Sequence, residues 1–292
     1  MSATEKILDH VKISIREKEL IVGNRTVRPR SGIVSPEMDP NWILEELDTI
    51  ANRPQDPFEI TEEDKKIYRE VIYPYWKNRS MKDYIFQNIS PEIKKAIDDG
   101  IFTLNQTDKG QGHIIMDFPV ILNTGIQALI EKLDQKITEY PENHFYRAAK
   151  IVFKATQRHI LRYAELAESN AADEKTVQRK EELLNISRIC RKIAYEKPET
   201  FYEACQLLWF ISLVAQYESN ASSISLGRFD QYMYPFYRRD IERGVPREKQ
   251  LEILECFFIK TNDVVLVRSQ ESARYFAGFP TGYTITLGGL TE

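Results

Sequence analysis

Residues 204–217 read ACQLLWFISLVAQY, fourteen positions without one charged side chain. As a helix this run is only about 21 Å long, too short for the roughly 30 Å hydrocarbon layer of a membrane. It therefore demands burial inside protein, and whatever else the chain forms must wrap around it. The neighbouring sequence supplies suitable partners. Apolar residues recur at i, i+3 and i+4 over 119–138, 142–168, 175–195, 199–218, 229–242 and 247–262, which predicts amphipathic helices there. A chain of 292 residues buries roughly 75% of the surface it exposes when unfolded, so the core needs no covalent staples. Cys190, Cys205 and Cys256 are too few and too scattered for a disulfide framework or a CxxC metal site, and each falls in a helical pattern as a small apolar residue.

The N-terminal third is patterned differently. Val11, Ile13 and Ile15 alternate, Arg16-Glu17-Lys18 turns, and Leu20-Ile21-Val22 returns to Gly23, so 11–24 predicts a short hairpin or edge strand. Prolines 29, 36, 40, 54 and 57 leave 25–60 as loop with one short helix near 42–50. Thr61-Glu62-Glu63-Asp64 opens a helix that runs to about Lys77, and Pro74 inside the pattern is expected to kink or end it. Ser90-Pro91-Glu92 opens another, stopped at Gly100. Near the end, Tyr283-Thr284-Ile285-Thr286-Leu287 reads as a strand between glycines. The class is helix-rich α/β. A strand followed by Gly288-Gly289 is a place to turn, and the chain ends three residues later, so the sequence reads as cut.

Composition excludes some functions. Forty Lys+Arg against forty-four Asp+Glu gives a net charge of −4 with no dominant basic run, which argues against nucleic acid as a partner. The start, Met1-Ser2-Ala3-Thr4-Glu5-Lys6, has no apolar signal region, and the expectation is a soluble cytoplasmic protein without a membrane span. His10, His113, His144 and His159 lack HxxxH or HExxH spacing, so no metal site is expected. His144 and His159 sit in amphipathic helical patterns and read as surface or hydrogen-bonded structural residues.

Two constellations remain. His113 follows Gly110-Gln111-Gly112, precedes Ile114-Ile115-Met116, and has Asn105, Gln106, Thr107 and Asp108 upstream. Hydrogen-bonding side chains at a strand end are where ligand groups collect, against the plain alternative of a loop histidine bonded to backbone. Gly110-Gln111-Gly112 has neither the P-loop nor the dinucleotide spacing. The second is Ser219-Asn220-Ala221-Ser222-Ser223-Ile224-Ser225, directly after the most apolar helix. Polar groups there need partners: a ligand, or the caps of adjoining helices. For Ser222 and Ser223 both readings stay open; Arg228 and Asp230 read as structural. No nucleophile–base pair or carboxylate couple emerges.

Three blocks in order carry a resemblance: ELIVGN at 19–24, FYEACQLLWF at 201–210 and GRFDQY at 227–232. Together they resemble the N-terminal half of a glycyl radical enzyme of the pyruvate formate-lyase and glycerol dehydratase branch, nearest to the group called pyruvate formate-lyase 2. The resemblance extends over essentially the whole chain, and it implies the N-terminal part of a ten-stranded α/β barrel wrapped by helices, with 1–292 a partial domain. In that family a backbone glycyl radical, installed by an S-adenosylmethionine/iron–sulfur activase, passes to a cysteine whose thiyl abstracts hydrogen from substrate. The Gly-Cys-Val-Glu and Arg-Val-x-Gly-Tyr motifs that carry this chemistry are absent here; Gly282-Tyr283 follows Pro280-Thr281. No cofactor is therefore expected to be bound, and no catalytic residue is assigned.

By resemblance to glycerol dehydratase, Asn105, His113 and Ser223 match positions that hold substrate hydroxyls, Ser222 stands where that enzyme has histidine, and Gly282 completes the substrate-binding set. Pyruvate-cleaving relatives grip a carboxylate with arginine, and residues 80–146 contain none. The resemblance thus implies a fragment of a radical dehydratase or lyase acting on a small hydroxylated substrate, inactive alone. The alternatives are a formate C-acetyltransferase fragment and a non-catalytic truncated product that binds a partner. Implied partners are the substrate, the radical-activating enzyme and the missing C-terminal part of the barrel; a homodimer is among the assemblies allowed.

Overall fold

The computed structural model describes residues 3–102, 110–276 and 281–289, with the side chains of residues 110, 111, 221 and 222 outside the description. Helix α1 (Ala3–His10) leads into an extended segment, and strand β1 (Gly32–Ile33) follows. Helix α2 (Pro40–Glu46) starts on Asp39, whose carboxylate accepts from the Asn41 N–H at 3.0 Å. Helices α3 (Glu62–Ile67) and α4 (Tyr73–Trp76) are joined by a π-turn at Tyr68–Ile72. The wider turn carries the helix past Pro74, so the proline does not end it, and it stops at Trp76, near the expected Lys77.

Helix α5 (Met81–Asn88), unanticipated from its mixed pattern, is set by a capping box between Ser80 and Asp83, and α6 (Pro91–Asp98) stops at Gly100. Strand β2 (Gly110–Ile115) precedes α7 (Phe118–Thr124) and α8 (Ile126–Glu139). The single helix expected over 119–138 is thus broken at Gly125, where φ is +80° and a Cβ would lie 2.8 Å from the Lys197 backbone nitrogen. Helices α9 (His144–Asp173) and α10 (Val177–Ile193) pack along each other, and α11 (Phe201–Ser219) carries the charge-free run. Strand β3 (Ala221–Ser225), α12 (Phe229–Glu242), α13 (Arg247–Lys260), β4 (Val265–Leu266) and α14 (Gln270–Phe276) complete the described order. Strand β1 pairs in parallel with β4, and β2 with β3.

Helix α11 is the centre of the core. Leu207, Leu208, Phe210 and Leu213 are fully buried and stabilise the fold by roughly 1.5–3 kcal/mol each. Four of its side chains hold the backbone of residues 20–24. Gln206 accepts from the Val22 N–H at 2.9 Å and donates to the Val22 carbonyl at 2.7 Å. Tyr202, Trp209 and Tyr217 donate to the carbonyls of Leu20, Gly23 and Asn24 at 2.6, 3.0 and 2.8 Å. From α9, the Tyr163 hydroxyl accepts from the Asn24 N–H and donates to the Asn24 side chain. Arg162 and Arg179 reach the carbonyls of Leu8, Val11, Arg16 and Glu19.

These bonds overturn the hairpin expected over 11–24. The alternation there marks residues that pack one side against helices, but the backbone groups are taken by side chains of α9, α10 and α11 rather than by a second strand. Beneath this segment lies a buried ion cluster. The Lys260 ammonium sits 2.6 Å from Glu19 and 2.9 Å from Asp263, and Arg16 contacts both carboxylates.

His159 is fully buried, with Nδ1 2.9 Å from the Leu8 carbonyl and no partner for Nε2 among the described residues. Of the two expectations for it the structural one holds, through one ring nitrogen only. Burial pushes its pKa down to about 4. Below the ordinary value of 6.5 the unfolded chain binds a proton that the folded chain refuses, so stability falls as pH drops from 6.5 towards 4. Between pH 7.5 and pH 5 this group should remove about 2 kcal/mol. Urea unfolding at the two pH values checks it: His159→Phe, which leaves the Leu8 carbonyl bonded to Arg162 at 2.6 Å, should flatten that slope, and an unchanged slope would refute the assignment.

Candidate functional site

Strands β2 and β3 run parallel in the register Gly110↔Ala221, His113↔Ser223, Ile114↔Ile224 and Ile115↔Ser225. Three steps along β2 therefore match two along β3, so one residue of 111–112 is extra and forms a β-bulge. The Gly110-Gln111-Gly112 sequence, unfit for phosphate, serves this irregularity. Its effect is decisive. With unbroken alternation His113 would stand opposite Ile224, which is fully buried on the helix side. The bulge shifts the phase by one, and His113 stands beside Ser223 on the open side, where Ile115 is 68% exposed.

On the other edge of β3, residues 282–286 extend the sheet. Ile224 donates to the Gly282 carbonyl and Leu226 to that of Thr284, each at 2.8 Å, while Thr286 donates back to Gly227 at 2.8 Å. The strand expected at 283–287 is thus present as a parallel run with bridges at Gly282 and Ile285. Ser223 is bridged to Gly282 as well as paired with His113, so three of the selected positions form one row across β2, β3 and the bridged segment at Gly282. The Ser223 hydroxyl lies 3.3 Å from the Gly282 carbonyl. Ser222 lies next to it in β3, with its side chain outside the description, and Asn105 lies outside the described residues altogether. Within the row, Ser223 is half-buried and His113 exposed.

The entry into β3 is fixed by a residue the sequence did not single out. Arg25 donates to the Gln216 carbonyl at 2.5 Å and to the Asn220 side chain, and stacks 4.7 Å over the Tyr217 ring. Asn220 closes α11 in the left-handed conformation, φ +46°, and donates to Glu37. Burial lowers the Arg25 pKa to about 10, which still leaves it charged at neutral pH. An arginine beside an IVGN block carries no recognisable signal of this role. Asp230 is structural as expected: its carboxylate accepts from the Gly288 N–H at 2.7 Å.

The row offers hydrogen-bond donors and acceptors and no redox or nucleophilic group. Cys190 and Cys205 are fully buried, and burial raises their thiol pKa values, which keeps them protonated packing groups. Among the described residues no three His, Cys, Asp or Glu side chains group to hold a metal ion, and no helix is long and apolar enough to cross a membrane.

A short parallel sheet, helices on its buried side and polar groups on its open side make up a segment of a helix-wrapped α/β barrel. The chain belongs to the pyruvate formate lyase-like family, whose profile matches residues 1–292. It is 36% identical over 289 residues to the probable dehydratase YbiW of Escherichia coli K12, covering 95% of this chain and 35% of that protein. It superposes on the glycerol-bound B12-independent glycerol dehydratase of Clostridium butyricum with a TM-score of 0.93 at 34% identity, covering 98% of this chain and 37% of that one. A glycyl radical enzyme from Archaeoglobus fulgidus gives 0.91 at 36% identity, covering 98% and 38%. The chain thus spans little more than a third of the length of these relatives, and the helix-rich architecture matches the N-terminal part of their barrels, as the three sequence blocks implied.

Proposed function

We propose that residues 110–115, 221–225 and 281–286 form one wall of the substrate pocket of a glycyl radical dehydratase or lyase that acts on a small hydroxylated molecule. The row His113, Ser223, Gly282 carries the reading, because bulge and register together bring an imidazole and a hydroxyl to one open sheet face. A serine hydroxyl that donates to Gly282 keeps lone pairs to accept a substrate O–H, and an imidazole can donate or accept. The resemblance adds Asn105 and Ser222 to the substrate-binding set. A neutral substrate fits better than pyruvate. The buried arginine near the strand, Arg25, has bonds to Gln216 and Asn220, and residues 80–146 hold no arginine to clamp a carboxylate.

The radical glycine and the thiyl cysteine belong to polypeptide that completes the barrel, after action by an S-adenosylmethionine/iron–sulfur activase. That radical supplies hydrogen-atom abstraction; the residues described here bind and orient the substrate.

The test uses the full-length protein that contains this chain, activated anaerobically and offered glycerol, propane-1,2-diol, and pyruvate with coenzyme A. Turnover of a diol is expected, with kcat/KM lowered about tenfold to a hundredfold by His113→Ala or Ser223→Ala while the radical signal persists. Turnover of pyruvate instead, or unchanged kinetics in both variants, would sink the reading.

A further inference from the structure

A cavity of about 210 Å³ lies between the N-terminus of α11 and the α12–α13 turn. Phe201, Tyr202, Val245 and Ile253 supply apolar wall, and Asp240 and Gln250 supply the polar groups. Asp240 is 3% exposed and Gln250 4%. One Asp240 oxygen accepts from the Phe201 N–H at 2.8 Å. Its Oδ1, and both the Oε1 and Nε2 of Gln250, have no partner among the described residues.

Buried polar groups are almost always hydrogen-bonded, so three orphan atoms on one cavity define what fits there. The unmet need is two acceptors, Asp240 Oδ1 and Gln250 Oε1, and one donor, Gln250 Nε2. The complement is two N–H donors and one oxygen acceptor on one small planar group. We infer that this cavity is a binding site for a small primary carboxamide or urea-type molecule. Its amide would pair reciprocally with Gln250 and give its second N–H to Asp240, with an aliphatic stub against Phe201 and Ile253.

Charge favours a neutral ligand over an amine or a carboxylate. The other acidic groups on the cavity are already paired, Glu182 with Arg179 at 2.9 Å and Glu252 with Lys249 at 3.2 Å. Burial raises the Asp240 pKa, with Glu203 acting in the same direction and Arg243 and Arg239 against it. An ammonium offers no lone pair to the Gln250 N–H groups, and a carboxylate offers no N–H to Asp240 and faces its charge.

The test is titration of the full-length protein that contains this chain with propionamide, against propionate and n-propylammonium as charged analogues of similar shape. Propionamide should bind saturably with a dissociation constant on the order of 1 mM, as suits so few atoms, and should shift the Gln250 side-chain amide signal in NMR. The two ions should bind at least about tenfold more weakly, a difference of about 1.4 kcal/mol. Gln250→Leu should abolish binding at unchanged melting temperature. Absence of saturable binding, equal binding of all three probes, or binding retained by Gln250→Leu would each overturn the inference. If Gln250→Leu fails to fold, the Gln250 amide signal of the unaltered chain decides: a signal unmoved by propionamide refutes the site.

Discussion

Gly23→Ala is expected to cost the fold about 3–5 kcal/mol, a large part of the roughly 5–15 kcal/mol that holds an ordinary domain together. Two independent effects add. The residue sits at φ +126°, a conformation open almost only to glycine, which costs a side chain roughly 1–3 kcal/mol. Its Cβ would also lie 2.8 Å from Nε1 and 2.9 Å from Cδ1 of Trp209, an indole that is fully buried and has no room to retreat; overpacking of this kind costs about 1–3 kcal/mol more. The Trp209 N–H bond to the Gly23 carbonyl would be strained as well. Gly100→Ala is the control, with φ +71° but nothing within 4 Å, and should cost only about 1 kcal/mol. Urea unfolding of both variants separates the effects; a loss at Gly23 no larger than at Gly100 would mean that the contact with Trp209 is not tight.

Glu19→Ala should be comparably severe, about 3–5 kcal/mol, because it strands a buried ammonium. The Lys260 side chain is 2% exposed and holds Glu19 at 2.6 Å and Asp263 at 2.9 Å. Losing Glu19 leaves two cations, Lys260 and Arg16, on Asp263 alone. The double variant Glu19→Ala with Lys260→Met should recover part of the loss, since removing both charges of a buried pair costs less than removing one. The stability difference should persist at high salt, because buried pairs are little screened. Additivity of the two single effects would show that the pair is not coupled.

What was legible in the sequence follows from where the interactions are made. Helices α11, α12 and α13 could be placed to within about two residues because their caps and apolar faces are local properties of consecutive residues. The break at Gly125 was missed because its cause, the backbone at Lys197, is seventy-two positions away. Helix α5 had a local signal, Ser80 with Asp83, but its faces show weak patterning. The hairpin over 11–24 failed for a deeper reason: alternation reports which side of a segment is buried, not what takes its backbone hydrogen bonds. At the site, His113, Ser223 and Gly282 could be selected by residue type and resemblance. That His113 faces the open side depends on one extra residue in β2, and nothing in the sequence counts residues against a partner strand.

The segment Leu20–Asn24 has its backbone held by the side chains of Gln206, Trp209, Tyr217, Tyr163 and Tyr202. A strand paired with another strand tolerates most substitutions in its partner, because main-chain groups are the same in every residue. A strand paired with side chains does not. The instructions for this segment are written some 180 positions downstream, so residues 19–24 and α11 are inherited as one unit. A split of the gene between them would yield two pieces that must find each other before either has a finished core.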